Sequence, residues 1–385
     1  MHIGINASFL RKPYTGIGQV TTHVLDELAK RSIEDKSMKN HKFFVYLEED
    51  DDIELPKNFH KKSFLPKFYK RDDLFRKLLW EKQCVLKQAR KDKCNILFSL
   101  YQCATINKYT DIKHVILVHD VIPHIFPEYL DNFRKKTYWQ QVEKGMYASN
   151  KIITVSEHTK IDLEKKLNIK SAKIVVDKIA VDPIFKNDCC DECVDKVLDK
   201  YKLKKGYIYS GGGLELRKNT QGVLRAYKQL KDKWKDTPDL VISGKLMPEL
   251  SPMITDVEKI AGELGLGSCV HILGFVQQGE LPALYKGARL FVFPSRYEGF
   301  GMPVLEAMNM GTPVLTARNS SLEEVGGDAV EYVETDEVDE LVEKMEKILK
   351  DDEKLKKMSV EAQERAKEFS WKKFVDTVCE IICEQ

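Results

Sequence analysis

Two carboxylates, Glu298 and Glu306, stand eight positions apart in residues 296–313, which read Arg-Tyr-Glu-Gly-Phe-Gly-Met-Pro-Val-Leu-Glu-Ala-Met-Asn-Met-Gly-Thr-Pro. The apolar run Ala288–Phe293 precedes this stretch and a second apolar run begins at Pro313, so the pattern predicts strand, tight loop, short helix, strand. Pro303 suits the first helical position, where its missing N–H is harmless. Gly311 falls just past the helix end, where a left-handed residue is wanted. In the turn Gly299-Phe300-Gly301-Met302, the N–H groups of Phe300, Gly301 and Met302 then point outward at a helix N-terminus, a ready anion site. Glu306, one turn into the helix, reaches a polyol such as ribose, and Glu298 faces whatever lies beyond the phosphates. A phosphate cradle between two polyol-binding acids suggests a sugar nucleotide.

Three further loops carry chemistry-bearing residues. Ser210–Asn219 follows an apolar run and precedes a helical pattern; its three glycines, Gly213 the last, permit a tight turn before Arg217 and Lys218. Cations are disfavoured near a helix N-terminus unless an anion is present. Here they would neutralise a diphosphate and stabilise charge on a leaving group. In Lys12–Gln19, Gly16 and Gly18 let backbone approach a ligand and leave helix N–H groups free, with a plain turn as the alternative. The third glycine of a dinucleotide fingerprint is absent. His119-Asp120 closes an apolar strand, where the histidine either meets a sugar hydroxyl or phosphate or caps the strand structurally. The acidic run 48–52 could mimic a metal-binding Asp-x-Asp, but its setting reads as a solvated loop.

The elements that must position these loops alternate strand and helix. Strand patterns fall at His2–Asn6, Lys42–Glu48, Asn95–Ser99, His114–His119 and Lys151–Val155. Helical patterns at Gln19–Lys30, Asp131–Ala148 and Glu157–Leu167 lie between them. After the polar, cysteine-bearing stretch Asp182–Asp199 the rhythm restarts with strands at Tyr207–Ser210, Leu240–Ser243, Val270–Leu273, Arg289–Pro294 and Pro313–Ala317. The tail from Asp336 is mostly helical. This is an α/β chain with two parallel, doubly wound sheets, whose ligand loops belong at the strands' carboxyl ends.

At 385 residues two domains are expected. With 43% hydrophobic and 32% charged residues and a net charge of +2, the composition is that of a soluble globular protein. No apolar stretch approaches the roughly 20 residues that span a bilayer, and no signal peptide is visible at Met1–Phe9, so a cytoplasmic location is expected. The nine cysteines include Cys189, Cys190 and Cys193 in one cluster, read as an exposed redox-sensitive linker with no partner ligands for zinc. Residues 57–93 are rich in Lys and Arg interleaved with aromatics. They either lie on an anionic membrane surface at the inner face or cover a domain core with their aliphatic stems. No nucleic-acid module accompanies them.

Glu298-Gly-Phe-Gly-Met-Pro-Val-Leu-Glu306 resembles the Glu-x7-Glu signature of the retaining GT-B glycosyltransferases of family 4. Thr15-Gly-Ile-Gly18, His119-Asp120, Val155-Ser-Glu157, Gly212–Asn219, Gly274-Phe275-Val276 and Ser320–Gly327 extend the likeness along the chain in the family's order. Phe369-Ser-Trp371 matches the start of a terminal helix that crosses back to the first domain. The resemblance implies a GT-B fold, two Rossmann-like doubly wound domains facing a central cleft. An acceptor-binding domain would span 1–182, a linker 183–199 and a sugar-nucleotide domain 200–369, with helix 370–385 packing back on the first.

By the same resemblance, Glu298 contacts the donor sugar, and Phe300 and Gly301, with neighbours Gly299 and Met302, hold the diphosphate. Glu306 holds the ribose. Lys218, helped by Arg217, stabilises the departing nucleoside diphosphate. His119 sits by the transferred sugar, Gly16 and Gly18 lie near the phosphates or acceptor, and Gly274, Phe275 and Val276 line the base pocket. Many relatives carry an arginine where this chain has Gly212-Gly213, which implies either that Arg217 takes more of the phosphate charge or that the diphosphate geometry differs. The family reading is metal-free and cofactor-free front-face transfer, in which the leaving diphosphate accepts the acceptor's proton. The His-Asp-x-Ile-Pro and Gly-Leu-Glu-x-Arg-Lys-Asn contexts resemble bacterial mannosyltransferases, so mannose from GDP-mannose to a saccharide or lipid-linked acceptor is the leading expectation. UDP-glucose or UDP-GlcNAc donors, a catalytically silent partner subunit, and an epimerase or phosphorylase of the same architecture are the alternatives.

Overall fold

The computed structural model describes residues 1–49, 52–65, 72–186 and 189–383. The chain divides into two compact units, Met1–Ala180 with Ser370–Gln385, and Val181–Phe369. The first holds strands β1 (His2–Asn6), β2 (Lys42–Leu47), β3 (Phe59–Ser63), β4 (Ile96–Ser99), β5 (Lys113–Val118), β6 (Lys151–Thr154) and β7 (Ile174–Val176). Their order is β3-β2-β1-β4-β5-β6-β7, with every pairing parallel. The second holds β8 (Tyr207–Ser210), β9 (Leu240–Ile242), β10 (Val270–Ile272), β11 (Ala288–Phe293), β12 (Val314–Ala317) and β13 (Glu331–Val333). These run β10-β9-β8-β11-β12-β13, again all parallel. Both units are Rossmann-like, and the paired central strands, β1 with β4 and β8 with β11, mark the switch points where such sheets bind ligands.

Parallel strands are covered on both faces, which explains their near-continuous apolar runs. Ile208, Leu290, Val292 and Leu315 are fully buried under helix Thr220–Lys233, which contributes Val223, Leu224, Tyr227 and Leu230 to the same core. Three strands went unread in the sequence. β3 carries His60-Lys61-Lys62 on an edge, where charge guards against pairing with another chain. β7 and β13 have three residues each, too few to show a period.

The terminal helix Trp371–Cys383 belongs to the first unit and packs on helix Gly16–Glu34. It buries Trp371, Phe374, Val375, Val378 and Ile382. The Trp371 and His23 rings lie 5.2 Å apart, and Asp376 pairs with Arg31. Within the stretch 183–199, read as linker, helix Asp191–Lys200 begins and buries Val194 and Leu198 in the second unit. Cys190 and Cys193 are disulfide-bonded at its start.

Glu48, expected in a solvated loop, is buried and paired with Arg76 at 2.9 Å and Arg11 at 3.6 Å. Asp50 and Asp51 of that run lie outside the described residues, as do Lys67, Phe68, Tyr69, Lys70 and Arg71 of the basic segment. No helix among the described residues is long and apolar enough to cross a membrane.

Candidate active site

In the second unit the loops after the two central strands meet. The chain leaves β8 through Gly211-Gly212-Gly213, makes a single 3-10 turn over Leu216–Lys218, and enters its helix through Asn219 in the left-handed conformation. Gly212 has φ +91°, and a Cβ there would lie 2.6 Å from Pro303 Cγ, so the glycine loop rests against the start of helix Met302–Asn309. Arg296 ties the two loops together. Its backbone N–H donates to Arg217 O at 2.7 Å, and its guanidinium donates to Leu216 O at 2.8 Å.

This splint converges three donors on one oxygen. Lys218 Nζ lies 2.8 Å, Arg217 Nη1 2.7 Å and Ser295 Oγ 2.8 Å from Glu298 Oε1. Lys218 also sits 4.9 Å above the Phe293 ring, and both it and Glu298 are buried. Burial pushes the Glu298 carboxyl up, but Arg217 and Lys218 outweigh it and bring the pKa down to about 2. Burial and the neighbouring Arg217 lower the Lys218 pKa against the pull of Glu298. Glu298 is therefore a carboxylate at neutral pH, held by two cations.

Gly301, at φ +103°, opens helix Met302–Asn309 without a side-chain cap; Pro303 has no N–H and Val304 N–H donates to Gly301 O at 3.0 Å, so in the first turn the Met302 N–H is the donor suited to an outside acceptor. A Cβ on Gly301 would meet Leu322 Cδ2 at 2.8 Å. Phe300 is buried edge-to-face against Phe369 at 5.9 Å. Glu306 is buried one turn on, and Tyr285 Oη donates to its Oε2 at 2.8 Å. Burial raises its pKa to about 7, with the Tyr285 bond and Lys218 opposing the rise. Gly274 and Gly244 are joined by the bond from Gly244 N to Gly274 O, at 2.9 Å. Beside them Phe275 is 57% exposed and Val276 is buried. Among the described residues no group of three or more His, Cys, Asp or Glu side chains is arranged to hold a metal ion.

The first unit holds the remaining expected residues. Thr15 caps helix Gly16–Glu34 by accepting from Gly18 N–H at 3.1 Å, so the Gly18 donor that the sequence reading left free is occupied. Gly18 instead allows close packing: a Cβ there would lie 2.0 Å from Lys12 O. His119 follows β5, is buried, and donates from Nε2 to Leu100 O at 2.9 Å. Burial brings its pKa down to about 4. The neutral ring thus presents Nδ1 as an acceptor, which suits a sugar hydroxyl and not the polarising of a phosphate.

Sequence reasoning missed Ser295 and Tyr285. Ser295 stands three residues before Glu298 and could have been found as the polar end of an apolar strand. Tyr285 lies on helix Leu281–Gly287, and no local pattern connects it to Glu306.

Comparison with known proteins matches each unit to a family description. Residues 14–183 match "Glycosyltransferase Family 4" and residues 196–365 match "Glycosyl transferases group 1". The O-antigen chain mannosyltransferase B of Escherichia coli is 32% identical over 258 residues, 67% of this chain and 66% of that protein. The serotype-specific mannosyltransferase WbdA of E. coli is 31% identical over 269 residues, 67% of this chain and 32% of that protein. The chain thus spans just under two thirds of the first relative's length and about a third of the second's. Among solved structures, Anabaena Alr3699/HepE in complex with UDP and glucose superposes with a TM-score of 0.73 at 16% identity, covering 100% of this chain and 99% of that one. That likeness concerns the GT-B fold. With both family descriptions matched in order, one on each doubly wound unit, the chain belongs to the group 1, family 4 glycosyltransferases.

Proposed function

We propose that this chain transfers a hexose from a nucleoside diphosphate sugar to a saccharide or lipid-linked acceptor, with retention of anomeric configuration and without a metal ion. The observation that carries the reading is the pair Arg217 and Lys218, buried beside the uncapped start of helix Met302–Asn309 and held by Glu298. A departing diphosphate gathers negative charge, and preorganised cations and helix N–H groups stabilise that charge without reorganisation. In this role Lys218 and Arg217 take the β-phosphate, and the N–H groups of Phe300, Gly301 and Met302 complete the cradle. Glu306 accepts from the ribose hydroxyls and Gly274–Val276 border the base.

Glu298, locked by three donors, orients the sugar. Attack from beneath the ring would require a nucleophilic carboxylate, and Glu298, bound to two cations and with its pKa brought down to about 2, is a weak one. The leaving diphosphate then takes the acceptor's proton on the face it departs from.

Mannose from GDP-mannose is the leading donor, since both E. coli relatives are named as mannosyltransferases. UDP-sugars are the alternative, in line with the Anabaena protein's UDP and glucose complex. The acceptor belongs to polysaccharide synthesis on a membrane-attached carrier, which the basic segment 57–93 would approach at the inner face. The deciding experiment is thermal unfolding with GDP-, UDP-, ADP- and dTDP-sugars. A ligand at a hundred times its Kd adds about 2.7 kcal/mol. GDP-mannose should raise Tm most, and no rise with any nucleotide would remove the donor site. Proton NMR of the product should show the donor's anomeric configuration, and EDTA should leave the rate unchanged.

A further inference from the structure

The first unit contains a cavity of about 210 Å³ whose chemistry is distinct from that of the phosphate cradle. Phe9, Tyr101, Tyr138 and Trp139 form aromatic walls, and Lys77 and Gln102 supply polar ones. Lys77 Nζ lies 4.9 Å from the Phe9 ring centroid and 5.1 Å from those of Tyr101 and Tyr138. Behind it stands the fully buried Glu81, 3.9 Å away and beyond hydrogen-bond reach. Glu81 is itself fixed by Ala104 N–H at 2.8 Å and Tyr138 Oη at 3.0 Å. It lies in the π-helical turn Trp80–Cys84, and such turns are frequent at functional sites. Gln102 joins the wall to the strand end: its Oε1 accepts from His119 N–H and its Nε2 donates to Asp120 O, both at 3.3 Å. Trp139 is buried, and its Nε1–H has no hydrogen-bond partner.

We propose that this cavity receives the terminal pyranose ring of a neutral saccharide acceptor, an assignment that rests on the transfer reading above. Its volume falls below the roughly 300–1,000 Å³ of pockets that take drug-sized ligands, so a single ring is the fitting size. The slightly positive C–H face of a pyranose complements the negative faces of aromatic rings. A purely apolar occupant would leave the Lys77 ammonium without a hydrogen-bond acceptor, at a desolvation cost. A strongly anionic occupant is disfavoured because Lys77 already faces Glu81 and three ring faces, and Lys135, at the cavity edge, is paired with Asp131 at 2.8 Å. Hydroxyl groups answer both requirements: they accept from Lys77 and can exchange hydrogen bonds with Gln102.

The test is saturation-transfer NMR on the full chain, without nucleotide, using methyl α-mannopyranoside, other methyl hexosides and inorganic phosphate as probes. Wild type should bind at least one hexoside saturably, and Lys77→Met should weaken that binding at least tenfold. Leu130→Trp adds bulk at a partly exposed wall position and should do the same, which keeps the test intact if loss of Lys77 disturbs the fold. Nucleotide-induced Tm shifts, read in parallel, show that each variant retains a folded second unit. Three results would overturn the assignment: no hexoside binding in wild type while nucleotide still raises Tm, binding indifferent to both substitutions, or Lys77-dependent phosphate binding with no hexoside binding. Hexoside binding that depends on Lys77 and Leu130, with no nucleotide effect on Tm, would support the cavity and count against the donor reading instead.

Discussion

Lys218 Nζ and Glu298 Oε1 are 2.8 Å apart, and neither side chain is more than a tenth exposed. Arg217 reaches the same oxygen, so one carboxylate holds two cations in a buried place. Burying charges in this way is costly, and such an arrangement is weak evidence for stability alone. In the proposed transfer its use is to keep two cations desolvated and aimed before the donor arrives. Glu298 would then be the resident anion, and a phosphate group would add a second one to the same pair.

Lys218→Ala should lower kcat about 100- to 1,000-fold with KM changed far less, because the ammonium acts on charge that develops only as the diphosphate departs. Glu298→Gln leaves both cations without their carboxylate and should destabilise the second unit by about 3–5 kcal/mol. Nucleoside diphosphate should then raise Tm more in Glu298→Gln than in wild type, since it supplies the missing anion. Steady-state kinetics and thermal unfolding read the two effects, and a Lys218→Ala enzyme with near-normal kcat would end the leaving-group role.

Glu306 gives a pH signature. Its pKa is raised to about 7 in the folded, nucleotide-free chain against an ordinary 4.5. Its contribution to stability is therefore full below pH 4.5 and is lost as pH rises through 7. Ribose hydroxyls donating to the carboxylate would favour the charged form and lower that pKa. Nucleotide binding at pH 6 should then release about one proton, and at pH 8 almost none. Affinity should climb with pH and level off above 7. Calorimetry at pH 6 in buffers of different ionisation enthalpy measures the proton count; a count of zero would place the ribose elsewhere.

Much of this was legible in the chain because parallel strands are buried on both faces and advertise themselves as apolar runs, as Ala288–Phe293 and Lys113–Val118 do. The cation pair and both acids were readable for a related reason, since Arg217-Lys218 and Glu298 stand beside glycines at strand ends. What escaped were contacts between residues far apart in sequence. Tyr285 and Glu306 are 21 positions apart on different helices, and Lys77 and Tyr138 meet around Glu81 only through the fold. Glu48 looks solvated because sequence shows its charge and not the arginine that covers it.

Gly301→Ala tests the cradle itself. A left-handed backbone costs a residue with a Cβ about 1–2 kcal/mol, and here the Cβ would also press on buried Leu322 at 2.8 Å. Tm should fall, and nucleotide affinity should fall further as the helix start is pushed aside. Adding Leu322→Ala removes the contact but not the backbone strain, so the double variant should regain nucleotide affinity without regaining full stability. If nucleotide affinity is untouched in the single variant, the helix start is not the phosphate site.

The proposed approach to a membrane rests on the basic segment, and the fold sorts its charges. Arg76 is buried on Glu48, Lys62 pairs with Asp92, and Lys77 is committed to its aromatic cage. Lys61, Lys87 and Lys91 are exposed, and Phe75, 48% exposed, adds an apolar contact. Each basic residue near an anionic surface contributes about 1 kcal/mol. Changing Lys61, Lys87 and Lys91 together to Gln should therefore weaken co-sedimentation with phosphatidylglycerol vesicles by about 100-fold, and added salt should do the same to wild type. Lys62→Gln should instead lower the Tm of the first unit, because it strips a partner from Asp92. Wild-type binding that is equal on neutral and anionic vesicles, or that survives the triple change, would mean the segment covers the core and meets no membrane.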